Sequence, residues 1–422
     1  MKTTGKIALC HIFSLLFSLP IWGQQADTDS VAKRLISHVQ SLAYFSEYIP
    51  QEKVYLHFDN TSYYQGDDIW FKCYVVTSEL HKATPLSKTI YVELLNPGGE
   101  MIDKQTLKIE NGQCHGNFTL NRLPFYSGYY EVRAYTKYML NFGDDVIFSR
   151  LFPVFDKPQK EGNYEERKML KYGFGKYPQK RKKPEKGKKV NLKLFPEGGN
   201  LVQGITSRVA FEATDEYGNP IDVSGVVINN DKEETARFAV THGGRGVFDY
   251  TPADKKQKAV VEYGNRKHQF DMPETMLQGF VLKTDNLSHP DSIAIELTRS
   301  SGTLPQILGL ALIGRGKFYN LTFINTEEES VRFKVKKTKL QPGVAWLVLF
   351  DSDGKILSDR LIFIHKSGFL NIKASTDKKT YEPYELVNID FNVIDKEENP
   401  ILSPFSVSVR DAANEADYRH NI

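Results

Sequence analysis

Short runs of alternating apolar and polar residues, separated by turn-forming residues, extend through most of this chain of 422 residues. Asp68 to Thr77 is one such run and is rich in aromatic and β-branched residues, and Thr89 to Leu95 alternates up to an Asn-Pro-Gly-Gly turn. A period of two places successive side chains on opposite faces of a strand, so each run predicts a strand buried on one side. Short strands with turn signals about every 8 to 12 residues are typical of antiparallel β-sandwiches.

The first 23 residues do not follow this pattern and are typical of an export signal. Lys2 and Lys6 precede an apolar run from Ile7 to Ile21, and a small-residue exit follows. The run is too short and too interrupted by polar residues to span a bilayer as a helix, and no later stretch reaches about 18 apolar residues. We therefore expect an exported chain, in the periplasm or associated with the outer membrane, without a transmembrane helix after the signal is removed.

One helix is expected, within residues 24–50. Apolar side chains recur at helical spacing from Val31 to Tyr48, and Ser30 is a possible N-cap. With 40% hydrophobic and 25% charged residues the composition is that of a globular protein, which excludes a disordered or low-complexity chain. The predicted fold class is therefore all-β: tandem antiparallel sandwiches of the immunoglobulin or fibronectin kind, after a short N-terminal helix.

Changes in composition divide the rest of the chain. Residues 156–189 are rich in Lys, Pro, Gly and Tyr without periodic apolarity, which is typical of a linker. The expected units are sandwich 1 at 51–155, the basic linker at 156–189, sandwich 2 at 190–275, sandwich 3 at 276–368 and an incomplete sandwich 4 at 369–422. Because half a sandwich exposes its apolar face, we expect that the chain is a fragment or that another element completes the fourth unit.

The net charge is small but unevenly distributed. The whole chain has 55 Lys and Arg against 52 Asp and Glu, whereas the segment from Lys157 to Lys189 has 13 basic and 4 acidic residues. Its basic cluster comprises Lys180, Arg181, Lys182, Lys183, Lys186, Lys188 and Lys189. This cluster could bind an anionic glycan, lipid headgroups or nucleic acid. For an exported protein we do not expect nucleic acid, and a solvated charged linker is the default interpretation.

Two cysteines, Cys73 and Cys114, remain after the signal segment is removed. In an oxidising compartment they form either two separately buried thiols or one structural disulfide. Sequence separation does not decide between these alternatives, because a bridge requires proximity of the two Cα atoms. We do not expect a metal site here, since no second Cys or His stands at ligand spacing beside either residue.

Signatures of catalysis are missing from the sequence. It has no GxSxG elbow, HExxH pair, Walker loop or GxGxxG after a strand. Asp351 to Gly354 resembles the start of a calcium loop without its remaining ligands, so a hairpin turn is favoured. His242 to Gly246 could bind an anion through backbone amides, although a glycine-rich hairpin is commoner. We therefore expect no enzyme activity, no catalytic residues, no metal and no cofactor.

An internal repeat is the most informative feature of the organisation. The chain reads KVYLHFDNTSYYQGDDIWFKCYVV from Lys53 to Val76 and NIKASTDKKTYEPYELVNIDFNVID from Asn371 to Asp395. Both segments have a strand, an Asp, a polar turn, a Tyr and a second alternating strand. The matched positions are Asp59 with Asp377 and Tyr64 with Tyr381. The chain therefore begins the same module twice.

These residues resemble the opening of the macroglobulin-type (MG) domain of the alpha-macroglobulin family. With FPEGGNLVQG from Phe195 to Gly204 and DEYGNPI from Asp215 to Ile221, the chain looks like a group of exported Bacteroidota proteins. Several members of that group continue into a plug domain similar to that of TonB-dependent receptors. The thioester motif of the inhibitory macroglobulins is absent, because Cys73 lies in FKCYV and Cys114 in GQCHG. The resemblance therefore implies no covalent protease trap.

Two functions follow from the resemblance. The first is a non-enzymatic binding and scaffold protein of the cell envelope, with non-covalent inhibition of endopeptidases implied by the family. The alternative is the extracytoplasmic part of a TonB-linked transport or signalling protein of the outer membrane. The expected partners are accordingly proteins of the cell envelope, either proteases or an outer-membrane barrel.

Overall fold

The computed structural model describes residues 25–121, 126–160, 167–169, 189–216, 218–253, 256–366, 370–395 and 397–410. The expected export signal at 1–23 lies outside these residues. So does most of the expected basic linker. Within the described ranges, no helix has both the length and the apolar character needed to cross a bilayer.

The N-terminal helix α1 runs from Gln25 to Tyr48. It begins six residues earlier than the apolar spacing predicts, so Ser30 lies inside the helix and the prediction of an N-cap there is wrong. An acidic residue near a helix N-terminus is favourable, and Asp29 also lies 3.9 Å from Lys33 one turn later. The helix buries Leu35 and Val39 against a sheet that comes much later in the chain.

Unit 1 is a sandwich of two sheets. Its strands are β1 (Glu52–Phe58), β2 (Tyr63–Tyr64), β3 (Asp68–Thr77), β4 (Thr89–Leu95), β5 (Met101–Lys108), β6 (Gln113–Thr119), β7 (Gly128–Tyr135) and β8 (Phe148–Phe155). The sheet orders are β1-β3-β6 and β2-β8-β7-β4-β5, antiparallel except for the β2–β8 pair. Two 3-10 helices, Met139–Phe142 and Asp144–Val146, connect β7 to β8. Alternating residues such as Ile69, Phe118 and Phe152 fill the space between the sheets.

Unit 2 is built in the same way around three phenylalanines. Its strands are β9 (Asn191–Pro196), β10 (Leu201–Val202), β11 (Ser207–Thr214), β12 (Ser224–Ile228), β13 (Glu234–Ala239), β14 (Arg245–Tyr250), β15 (Lys258–Tyr263), β16 (Arg266–Asp271) and β17 (Thr275–Met276). The sheet orders are β14-β11-β9 and β13-β12-β15-β16, and β10 pairs in parallel with β17. The ring of Phe238 lies 5.0 Å from that of Phe211 and 4.9 Å from that of Phe248.

Unit 3 has the most apolar strands of the chain. They are β18 (Phe280–Asp285), β19 (Ser292–Arg299), β20 (Ile307–Gly314), β21 (Lys317–Asn325), β22 (Ser330–Lys336), β23 (Gly343–Phe350) and β24 (Ile356–Ile364). The sheet orders are β18-β19-β22 and β21-β20-β23-β24. The outer face of the second sheet is the surface that α1 covers, at Ala311, Val348 and Phe350. Both faces of that sheet are therefore partly buried, which explains the continuous apolar runs in β20 and β23.

Unit 4 is a two-stranded sheet of β25 (Asn371–Thr376) and β26 (Ile389–Ile394). It repeats the β1–β3 pair with one constant offset in numbering: Phe58 lies opposite Phe71, and Thr376 lies opposite Ile389. In unit 1, β3 also pairs with β6 on its other edge, whereas no described strand pairs with that edge of β26. The all-β class, with tandem antiparallel sheets after one short helix, is confirmed.

Amide hydrogen exchange should distinguish the two copies of the repeat. β26 pairs with one described strand only. Val387, just before β26, is 44% exposed, whereas Ile69 at the equivalent position of unit 1 is fully buried. We expect the amides of Ile389–Ile394 to exchange about 100-fold or more faster than the equivalent amides of β3, because local opening costs least where few buried contacts are lost. Exchange measured by mass spectrometry on the full chain tests this. Equal protection of the two strands would contradict it.

Candidate functional site

The structure places the sequence-predicted site residues in two separate regions. Cys73 on β3 and Cys114 on β6 face each other across adjacent antiparallel strands, and both are buried as thiols. Of the seven basic linker residues, only Lys189 belongs to the described ranges, where it is exposed just before β9. The other six lie outside the described residues, so anion binding by the linker stays a prediction.

The repeated Asp of the two modules organises a turn through its carboxylate. In unit 1, Asp59 Oδ1 accepts hydrogen bonds from the Tyr63 hydroxyl at 2.7 Å and the Trp70 backbone amide at 3.0 Å. In unit 4, Asp377 Oδ1 accepts from the Tyr381 hydroxyl and, at 3.2 Å, from the Asn388 amide. The equivalent of Tyr381 is therefore Tyr63, and the match to Tyr64 made from the sequence is wrong by one residue.

The pKa values of these two aspartates are shifted in opposite directions, although both accept a hydrogen bond from a tyrosine. The core of unit 1 covers Asp59, and this burial raises the pKa of its carboxyl despite the hydrogen bonds that it accepts. In unit 4, the hydrogen bond from Tyr381 lowers the pKa of the exposed Asp377. The turn is thus a folding element shared by both modules. Burial is the largest cause of the raised pKa of Asp59, and Asp377 has in addition a hydrogen bond from the Asn388 side chain.

A buried carboxylate joins unit 2 to unit 3. Glu197 directly follows β9, and its side chain is only 2% exposed. One of its oxygens, Oε1, accepts hydrogen bonds from the Thr284 amide at 2.9 Å and the Thr284 hydroxyl at 3.1 Å, both on β18 of unit 3. The same oxygen lies 3.0 Å from Arg360 Nε on β24, and Arg208 of unit 2 lies 3.9 Å from the other oxygen. We call this cluster the Glu197 joint.

The turn that carries Glu197 enters a seam of unit 3. β18 and β24 are edge strands of the two different sheets, and the turn touches both. The Ser358 hydroxyl donates to the Gly198 carbonyl at 2.7 Å, and the Asn200 amide group donates to the Leu357 carbonyl at 2.8 Å. Unit 2 therefore closes the open side of unit 3, which protects exposed edges from other pairings.

Two neighbouring glycines of this turn give a matched test of the joint. Both have a positive φ, +78° at Gly198 and +88° at Gly199, but a Cβ on Gly198 would meet the Ser358 hydroxyl whereas one on Gly199 meets nothing within 4 Å. We expect Gly199→Ala to cost about 1 kcal/mol from backbone strain alone. Gly198→Ala should cost about 2 kcal/mol more, because the buried Ser358 hydroxyl must turn away and lose its hydrogen bond to the Gly198 carbonyl. Urea denaturation of both variants measures the difference, and equal losses would exclude a tight contact.

A second polar joint connects unit 3 to unit 1 and the helix. The turn between β20 and β21 carries Arg315, whose guanidinium donates to the Glu79 carbonyl at 3.2 Å and whose own carbonyl accepts from the Ser78 hydroxyl at 3.2 Å. Lys317 Nζ lies 2.9 Å from the Glu79 carboxylate and 3.9 Å from that of Glu47 on α1. The hydrogen bond to Glu79 raises the pKa of Lys317, which keeps this cation charged. We call this cluster the Arg315 joint.

The calcium-like turn at Asp351 to Gly354 belongs to the contact between α1 and unit 3. Asp351 Oδ1 accepts hydrogen bonds from two amides of its own turn, those of Asp353 and Lys355. The Ser352 carbonyl contacts His38 Nε2 of α1 at 2.9 Å. Across the described part of the chain, no group of three or more His, Cys, Asp or Glu side chains could hold a metal ion. The hairpin interpretation of this turn is confirmed.

The glycine-rich turn from His242 to Gly246 is a tight turn that connects β13 to β14, which belong to the two different sheets of unit 2. The His242 carbonyl accepts from the Arg245 amide at 3.0 Å, and the two residues form a bridge. Arg245 is paired with Glu212 at 2.7 Å, so its charge is already balanced. Both side chains border a shallow surface depression of about 500 Å³ whose apolar lining includes Phe195 and Val247.

A group of large apolar side chains is exposed on unit 3, beside the area covered by α1. Trp346 lies opposite Leu361, and Val344 lies opposite Phe363, on adjacent strands β23 and β24. All four are more than a third exposed, and the cross-strand register places each pair on one face. Exposed apolar groups of this kind are typical of interaction surfaces in soluble proteins.

Comparisons with known proteins find solved structures that are similar to this chain but share little sequence with it. No protein-family model matches the chain, and no curated protein matches it. Among solved structures, the alpha-2-macroglobulin of Escherichia coli activated by porcine elastase is 13% identical, with a TM-score of 0.28, over 83% of this chain and 34% of its own. This chain therefore spans about a third of the length of that structure.

Other similar structures come from different bacterial proteins. Dimeric latent PorU from Porphyromonas gingivalis is 11% identical over 74% of this chain and 34% of its own, with a TM-score of 0.30. The Escherichia coli adhesin FdeC is 10% identical over 75% of this chain and 97% of its own, with a TM-score of 0.19. All these TM-scores are below 0.5, so no activity of this chain follows from the likeness.

Sequence reasoning missed the two joints. Glu197 stands between Pro196 and two glycines, which indicates a turn and gives no sign of a buried carboxylate. Its partners Thr284 and Arg360 lie far along the chain in unit 3. The one available signal was FPEGGNLVQG, which stood out as a motif although no single sequence shows what its Glu contacts.

Proposed function

We propose that this chain is a non-enzymatic binding and scaffold protein of the cell envelope, built from macroglobulin-like sandwiches. The observation that carries this proposal is that unit 3 is held to unit 2 by the Glu197 joint and to unit 1 and α1 by the Arg315 joint. A scaffold must keep its modules in fixed relative positions. Buried or half-buried hydrogen bonds between units supply that orientation, because they are directional.

The sequence resemblance supports the same proposal. FPEGGNLVQG, one of the segments that resemble the macroglobulin-type exported proteins, is the segment that forms the Glu197 joint. The repeated Asp59 and Asp377 turns fit the beginning of a domain that recurs in a row. The export signal, the cell-envelope location and the division into four sandwiches with a basic linker are parts of this proposal.

The finer form of the proposal is non-covalent inhibition of endopeptidases. The chain has no thioester motif, so any protease must be held by surface contacts, and the exposed apolar group at Trp346 and Leu361 is the first candidate surface. A held protease loses access to large substrates while its active site still accepts small ones. The rival function is a TonB-linked assembly, in which the sandwiches position a barrel partner and leave proteases unaffected.

Protease assays on the full chain separate these functions. Elastase and trypsin would each be incubated with the chain and then tested on casein and on a small chromogenic peptide. Inhibition predicts slow casein hydrolysis with peptide hydrolysis retained. Leu361→Asp should abolish the effect, whereas the matched change Ile356→Asp, on the same strand and 56% exposed, should not. Full activity on both substrates would contradict inhibition, and co-purification with an outer-membrane barrel would then support the rival.

A further inference from the structure

The two cysteines of unit 1 occupy one register position on neighbouring strands. Cys73 on β3 lies opposite Cys114 on β6. Along this ladder the Val75 amide donates to the Gly112 carbonyl at 2.7 Å, and the Leu120 amide donates to the Asp67 carbonyl at 2.8 Å. Hydrogen-bonded pairs recur at every second residue, so Cys73 and Cys114 also form such a pair, with Cα atoms about 5.5 Å apart. A disulfide requires a Cα separation of about 4.4 to 6.8 Å, which this pair meets, and a Cβ separation of about 3.5 to 4.5 Å. The Cβ atoms of a hydrogen-bonded pair lie about 5 Å apart, so the two strands must draw slightly together as the bond forms.

The surroundings of the pair bring the thiols together and exclude outside reagents. Cys73 is fully buried and Cys114 is 9% exposed, and both belong to the core of unit 1. Their side chains are hydrogen-bonded to each other; this bond raises the pKa of the buried Cys73 thiol and lowers that of the Cys114 thiol, so Cys114 is the sulfur that ionises more readily. A thiol that ionises poorly and is covered by the core reacts slowly with reagents from solution. Among the described residues, the cysteine within reach of Cys73 is Cys114 on the opposite strand.

We infer that Cys73 and Cys114 are a cross-strand dithiol that closes to an internal disulfide when the chain folds in the presence of a disulfide oxidant. The two thiols lose two protons and two electrons as the S–S bond forms. The oxidant, a disulfide such as oxidised glutathione, takes up both electrons and both protons as its own bond is cleaved to two thiols. The inference concerns unit 1 alone and is independent of the proposed function.

The bond would fix the edge of the smaller sheet of unit 1. β6 is an edge strand, and β3 is its only ladder partner in the described part of the chain. The covalent link would close a loop of about 40 residues and so reduce the freedom of the unfolded chain. Unit 1 should therefore melt about 10 °C higher when oxidised than when reduced. The pinned edge would also be unable to exchange with a strand of another chain.

The test uses the full chain with Cys10→Ser, which leaves only the two cysteines of unit 1. The reduced chain is unfolded and then refolded in buffers with increasing ratios of oxidised to reduced glutathione, so burial in the native state does not limit the reaction. Free thiols are blocked with N-ethylmaleimide, and the products are examined by intact mass and peptide mapping. We expect a product without N-ethylmaleimide that is lighter than the unmodified reduced chain by two hydrogens, and in which the Cys73 and Cys114 peptides are joined. The fraction of this product should rise with the ratio of oxidised to reduced glutathione.

Cys73→Ser in the same background is the control. It cannot form the internal bond, so its calorimetric melting temperature should not depend on the glutathione ratio. The inference is overturned if both thiols are blocked at every glutathione ratio. It is also overturned if both cysteines carry glutathione or if the product is a disulfide-linked dimer. If the control does not fold, the oxidised and reduced forms of the two-cysteine chain still give the comparison by themselves.

Discussion

Glu197→Ala should destabilise the joined units 2 and 3 by about 3 kcal/mol, because the buried Thr284 amide and hydroxyl lose their acceptor and Arg360 loses its ion-pair partner. The Arg360 side chain is 30% exposed at the seam of unit 3, so water partly compensates the charge that the change leaves behind. We also expect unit 2 to move relative to unit 3. Calorimetry of the full chain measures the loss as a lower melting temperature. We expect units 2 and 3 to melt in one transition in the unchanged chain and in two separate transitions in the variant.

The control for this prediction is Glu296→Ala. Glu296 pairs with Arg332 at 2.6 Å on the surface of unit 3, where the arginine side chain is 77% exposed. Exposed pairs contribute at most about 1 kcal/mol, so this variant should melt almost like the unchanged chain. Similar losses for Glu197→Ala and Glu296→Ala would show that the joint contributes no more than a surface ion pair.

Glu52→Ala should destabilise unit 1 by a similar amount, about 3 to 5 kcal/mol, because several buried donors lose a charged acceptor at once. The Glu52 carboxylate at the start of β1 is 3% exposed. It accepts from the Ser87 hydroxyl at 2.7 Å, from the Thr136 hydroxyl at 2.7 Å and from Thr84. Thr84 and Ser87 lie in the connection between β3 and β4, and Thr136 follows β7, so their loss should loosen the two parts of unit 1 that meet at Glu52.

Urea denaturation of the full chain measures this loss when it is followed by the fluorescence of Trp70 in a background in which Trp22 and Trp346 are replaced by Phe. Glu110→Ala is the control, since Glu110 is paired only with Lys108 on the surface and its side chain is 69% exposed. That change should leave the midpoint almost unaltered. An equal midpoint for Glu52→Ala and Glu110→Ala would mean that water, rather than the protein, satisfies the buried hydroxyls.

Much of the strand pattern was readable because one face of each strand is buried. The boundaries of Asp68–Thr77 and Thr89–Leu95 were predicted to the residue. β5 (Met101–Lys108) was missed, since it is an edge strand whose mostly exposed side chains are polar and show little alternation. Periodicity also missed β8 (Phe148–Phe155), an inner strand whose last four residues are all buried and therefore do not alternate.

The repeat shows both the strength and the limit of pattern reading. Its two strands and its Asp were matched correctly between Lys53 to Val76 and Asn371 to Asp395. The adjacent pair Tyr63 and Tyr64 left the tyrosine ambiguous, and only the hydrogen bond to Asp59 identifies Tyr63. The joints at Glu197 and Arg315 could not be found, because a contact between distant turns leaves no periodic signal in one sequence.

The rigid connection of unit 2 to unit 3 is the central claim, and a distance measurement between them tests it most directly. Spin labels on azido amino acids at the exposed Lys267 of unit 2 and Lys334 of unit 3 would leave the native cysteines untouched. Pulsed electron resonance on the full chain should give one narrow distance distribution, and Glu197→Ala should broaden it. A distribution that is already broad in the unchanged chain would contradict the scaffold account.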